Sequence, residues 1–122
     1  MSDKAWKATE RRIATYFGTV RNPLSGGNGR HTRSDTLHPN YFIEIKHGSG
    51  CPTTWPAILK LYQETARLAA AEWKEPVLIL HRKGSRGVDN DDTYFSVPDF
   101  PSCICAPVWA FMVWRKEREA RQ

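Results

Sequence analysis

The sequence predicts an α/β (α+β) fold in which a small mixed β-sheet is flanked by helices, and three observations carry that prediction. Segments whose apolar residues recur at helical spacing alternate along the chain with short β-rich runs. Residues 77–81 (VLILH) are apolar almost throughout, as in a strand buried on both faces. The 122 residues, 40% hydrophobic and 25% charged, suit one ordinary soluble domain and exclude a disordered chain or a multidomain enzyme. A single domain over 1–122 is expected, its principal core over about 4–97 and a C-terminal apolar segment and helix over about 103–120.

Residues 3–17 read as a first helix, capped by Ser2 or Asp3 and stopped by Gly18. A short strand is expected over 19–22, followed by a glycine-rich basic loop, PLSGGNGRHTR, over 23–33. Residues 41–46 (YFIEIK) read as a strand broken by the Gly and Pro of 48–52. A long helix is expected over 54–73, with Trp55, Ile58, Leu59, Tyr62, Ala66, Ala69, Ala70 and Trp73 at helical spacing. After the buried strand come an exposed loop over 83–92, another strand over 94–97 and a closing helix over 107–120.

Eighteen Lys and Arg against thirteen Asp and Glu give a net charge of +5. The first fifty residues hold eight bases and four acids, a field that favours polyanions, nucleic acid foremost. No apolar stretch approaches the ~18 residues of a membrane span, and residues 1–10 are too polar for a secretory signal. The expected setting is the cytoplasm or nucleoid, with no membrane partner. Cys51, Cys103 and Cys105 form no even disulfide framework and no zinc-ligand spacing, so they are expected to be structural or incidental thiols.

Four charged residues stand where packing alone does not want them. In the first helix, Glu10 falls within the stripe Trp6, Ile13, Ala14, Phe17, so its carboxylate needs a partner, water or a cation. Along 41–46 side chains alternate, so Glu44 and Lys46 share one face, roughly 6.5–7 Å apart along the strand. Asp35 lies nine positions before Glu44, between the basic loop and the strand. Three carboxylates converging with one lysine make a hard-oxygen site suited to Mg2+ or Mn2+. A lysine has no use in a purely structural metal site, whereas in phosphodiester hydrolysis it can orient water or offset phosphorane charge.

The pattern Glu10…Asp35…Glu44-Ile45-Lys46 resembles the PD-(D/E)XK nuclease superfamily, and within it the small Holliday junction resolvases of archaea and phages. The resemblance runs over about residues 4–84, through KATERRIA, SDTLHPNYFIEIK and VLILHRKG, with Ser34-Asp35 standing in place of the motif's Pro-Asp. It implies a restriction-endonuclease-like core and a metal-dependent endonuclease acting on branched DNA. Asp35 and Glu44 would be the main metal ligands, joined by the main-chain carbonyl of Ile45. Lys46 would be the catalytic lysine, and Glu10 a further acid acting directly or through water. Gln63 matches an accessory glutamine found near some such sites.

Arg30, His31 and Arg33 of the glycine-rich loop suit contact with DNA phosphates, and Arg11, Arg12, Arg21 and His47 extend that surface. Nothing resembles a recognition helix, so selectivity for DNA shape is expected over readout of base sequence. Symmetric cutting of two strands calls for two sites, hence a homodimer; the aromatic segment of Trp109, Phe111, Met112 and Trp114 is either its interface or core. The alternatives are a nuclease of the same superfamily acting on flaps or duplex, and a non-catalytic nucleic-acid-binding module of the same fold.

Overall fold

The computed structural model describes residues 2–23, 32–84 and 87–121. Among them, three helices and four strands follow in the order α1 (Ser2–Tyr16), β1 (Tyr41–His47), α2 (Trp55–Ala71), β2 (Glu75–His81), β3 (Asp92–Ser96), β4 (Cys103–Pro107) and α3 (Val108–Ala120). The sheet order is β1-β2-β3-β4. β1 and β2 are parallel, with Ile45 opposite Ile79 and His47 opposite His81. Parallel neighbours cannot be joined by a hairpin, and α2 supplies the crossover between them. β3 and β4 then add antiparallel, completing a mixed sheet.

The alternation of side chains along β1 and β2 sorts the core into two layers. Tyr41, Ile43, Ile45, Val77 and Ile79 face α1 and α3, where they meet Ile13, Phe17, Val108 and Phe111. Leu78 and Leu80 face the other way, onto Ile58 and Tyr62 of α2. β2 is therefore buried on both faces, which is why its sequence carries no polar alternation. No helix among the described residues is long and apolar enough to cross a membrane.

The helix ends have local causes. Thr54 caps α2 by accepting a hydrogen bond from the Ala57 amide, and Pro56 occupies the first turn, where a missing N–H costs nothing. α1 ends in a Schellman turn: Gly18, at φ +75°, donates to the Thr15 carbonyl and Thr19 donates to that of Ala14. α2 ends with the same pair of bonds, from Trp73 to Ala70 and from Lys74 to Ala69, but the residue at the left-handed position is Trp73, at φ +58°.

Three expectations are corrected. Residues 19–22 form no strand; they contribute a single antiparallel bridge, Arg21 with Thr36. No strand is expected in the apolar segment ahead of the closing helix, yet β4 forms there, because a five-residue segment ending in proline becomes a strand only by pairing with β3. Trp73 does not continue the buried stripe of α2, since the helix stops at Ala71 and the reversal throws its indole into solvent. Trp55 and Ala70 are likewise exposed, whereas Thr65 takes a buried place in the stripe.

Candidate active site

β1 lies at one margin of the sheet, but its outer edge is not bare. Residues 34–36 run beside it and occupy its outward-facing groups in turn. The Ile43 amide donates to Ser34 Oγ at 2.8 Å, the Asp35 amide donates to the Ile43 carbonyl at 2.8 Å, and the Ile45 amide donates to Asp35 Oδ2 at 2.8 Å. A short polar side chain followed by a carboxylate is what this edge needs, since both reach strand amides from a segment that cannot itself pair fully. Along an extended strand the N–H and C=O of one residue point the same way, so the Ile45 carbonyl faces this margin too.

This clamp brings Asp35 to the Glu44–Lys46 pair. Lys46 Nζ lies 3.4 Å from Glu44 Oε2, both side chains on the α2 face of the sheet and partly open to solvent. Asp35 is only 7% exposed. Burial, then the charge of Glu44, then that of Glu10 push its carboxyl up to about 8, against the opposing pull of the Ile45 amide and Lys46. Glu44 is also raised, by burial first, with Lys46 holding it back. Two carboxyl groups so placed leave a surplus of negative charge, which a proton or a hard cation relieves.

Glu10 enters from the opposite face. It is 3% exposed, and its Oε1 accepts from Arg21 Nε at 2.8 Å while Oε2 lies 3.4 Å from His47 Nε2. The inward turn read from the helical stripe is real, and the carboxylate is met by a guanidinium. Arg21 reaches it because the turn after α1 is held back on the chain by the bridge to Thr36. Among the described residues, no three His, Cys, Asp or Glu side chains are grouped closely enough to hold a metal ion between them.

The structure thus brings Asp35, Glu44 and Lys46 together and places Glu10 behind them with cationic partners of its own. Gln63 is exposed on α2. Arg11 is exposed on α1 and lines a shallow cleft with Thr15, Thr19, Val20 and Arg21. Arg33 is exposed while its amide donates to Glu72 Oε2 at 2.9 Å. His47 is partly buried against Glu10 and Trp6. Arg30 and His31 lie outside the described residues.

Two participants escape a sequence reading. Ser34, fully buried, accepts the Ile43 amide, a role no spacing announces. His81 sits beside His47 at the end of β2, and its Nδ1 lies 2.7 Å from Asp91 Oδ2. The signal available for that pair was a histidine closing an apolar run, with an acidic cluster ten residues on. Among the described residues, His47 Nδ1 is buried without a hydrogen-bond partner. No protein-family model, no curated protein and no solved structure matches the chain.

Proposed function

We propose that this chain is a divalent-metal-dependent endonuclease that hydrolyses phosphodiester bonds in branched DNA, four-way junctions first, and works as a homodimer. The observation that carries the reading is the Asp35 carboxylate held on the Ile45 amide. That bond delivers an acid from outside the sheet to a Glu and a Lys two residues apart on one strand. The donor set also fits the metal. Mg2+ keeps much of its water and takes one or two carboxylates, the rest of its shell coming from substrate phosphate. Asp35 and Glu44 are two such carboxylates with excess negative charge between them, and the Ile45 carbonyl is a third hard oxygen at the same margin. Glu10, committed to Arg21, acts at one remove through water.

Bound there, Mg2+ or Mn2+ lowers the pKa of water and polarises the phosphate. Lys46 sets an ammonium 3.4 Å from Glu44, where it donates to an oxygen of the scissile phosphate as charge builds in the transition state. Glu44 orients that ammonium. Ser34 and Asp35 hold the strand edge rigid, so the groups are in place before substrate arrives. Arg11 and Arg33, both exposed, supply phosphate contacts that read charge and shape.

The test is cleavage of an end-labelled four-way junction with Mg2+ or Mn2+, beside a flap and a linear duplex, for wild type, Asp35→Asn, Glu44→Gln and Lys46→Met. Wild type is expected to place paired nicks near the crossover. Each variant should lose about 10²–10³-fold in rate while still binding the junction. Wild type that binds and never cuts with either ion would leave a nucleic-acid-binding module. Variants that cut at the full rate would remove these residues from the site.

A further inference from the structure

The two Schellman turns of this chain are built on the same bonds, yet one carries glycine and the other tryptophan. A left-handed φ is nearly free for Gly18 and costly for a bulky side chain such as that of Trp73 at φ +58°. The usual compensation for such strain is packing. Trp73 has none, for it is 95% exposed, the most exposed of the large apolar side chains among the described residues. Backbone strain of this kind clusters at active sites, ligand clamps and switch regions, so it directs attention to what Trp73 could contact outside the fold.

The surroundings say what that something is. Trp73 borders a cleft of about 340 Å³ with Asn40, Tyr41, Glu75, Arg118 and Glu119. The sequence neighbours of the indole are Glu72 and Lys74, which pair with each other at 3.3 Å. Across the cleft, Arg118 grips Glu75 through two bonds at 2.8 and 2.6 Å. A protein interface wants a contiguous apolar patch, and here one indole stands among charges. A single aromatic face in a polar setting suits a flat, polar-edged ring. Glu72 also accepts hydrogen bonds from Thr32 Oγ1 and from the Arg33 amide, so the turn bearing Trp73 is fastened to the segment that leads into Asp35.

We propose that Trp73 is a stacking platform for an unpaired nucleobase of the bound DNA strand, with the cleft beside it receiving the base edge. The assignment rests on the nuclease reading above and adds to it a contact with an opened strand. Stacking on an aromatic side chain tolerates any base, in keeping with selectivity for structure over sequence. A strand crossing Arg33 toward the site passes this turn, and a flap, or a junction opened at its crossover, offers the unpaired base that a closed duplex withholds.

The experiment compares wild type, Trp73→Gly and Trp73→Phe by anisotropy of labelled single-stranded DNA, four-way junction and blunt duplex without divalent metal, together with thermal melts. Trp73→Gly should melt at or above the wild-type temperature, since glycine relieves the left-handed strain. It should lose about tenfold or more in affinity for the single strand and the junction, with little change for duplex, and Trp73→Phe should restore most of that loss. Unchanged binding by Trp73→Gly, an equal loss on duplex, or a drop in its melting temperature would overturn the proposal, the last by making the indole structural. If wild type cuts a junction and Trp73→Gly binds it equally well, only the platform fails. If wild type binds no nucleic acid, the nuclease reading and the platform fail together.

Discussion

Asp35 holds its proton under conditions in which an ordinary aspartate has lost it. Its carboxyl stands at about 8 in the fold against an ordinary value of 3.8. Between those limits the folded chain binds a proton that the unfolded chain has released, so stability falls as the pH climbs. This contribution is fully present below about pH 4 and gone once the pH has passed through about 8. In metal-free buffer, the melting temperature of wild type should therefore decline relative to Asp35→Asn between about pH 5 and about pH 9. On the proposed function, a cation bound there would do what the proton does. Mg2+ added near pH 8 should raise the wild-type melting temperature and leave Asp35→Asn where it was, and equal shifts in both would place the ion elsewhere. Lys46 is legible in the sequence as half of an ExK pattern. The proximity of Asp35 is expected only through the family resemblance and not from periodicity, because it depends on one hydrogen bond to a backbone amide ten residues away.

Among the elements, α1 packs on the sheet through apolar contacts, and its Glu10 forms a buried ion pair with Arg21 of the segment that follows. Removing Arg21 takes the guanidinium from a carboxylate that is 3% exposed and also lies near His47. Arg21→Met should destabilise the fold by about 3 kcal/mol, the low end of the cost of stripping a buried pair. Glu10→Gln in the same background should recover much of that loss, and additive losses in urea melts would show that the two side chains are not coupled. At α2, Thr54→Ala removes the hydroxyl that caps Ala57 and should cost about 1 kcal/mol. The long elements were readable because each repeats its pattern over several turns or alternations: the stripe of Ile13, Ala14 and Phe17, the alternation of 41–46, the unbroken apolar run of β2. β4 was not. Five residues with Cys103 buried and Cys105 exposed are too few to state a period, and pairing with Phe95 and Tyr94 settles their conformation.

Across the whole molecule, Phe111 joins both helices of one layer to the sheet. Its ring centroid lies 5.7 Å from that of Phe17 in the turn closing α1, 5.8 Å from Tyr41 on β1 and 4.7 Å from Phe95 on β3. Phe111→Ala should cost about 3–5 kcal/mol and loosen α1 and α3 together, whereas Trp109→Ala, on a side chain half in solvent, should barely move a urea melt. Of the C-terminal aromatic segment, Phe111 is core, Met112 and Trp114 pack against it, and Trp109 turns outward. The homodimer in the proposed function is checked by sedimentation equilibrium with and without a junction, where a monomer in both would require each nick to be made independently. By itself, the chain's order of residues determined the alternation of helix and strand, the inward turn of Glu10 and the shared face of Glu44 and Lys46, since all three follow from local periodicity. Only the tertiary structure decided that Asp35 is clamped on β1, that Arg21 neutralises Glu10 and that Trp73 stands in solvent. Each of these turns on which distant group meets a given atom, or on where a helix stops, and no periodicity encodes either.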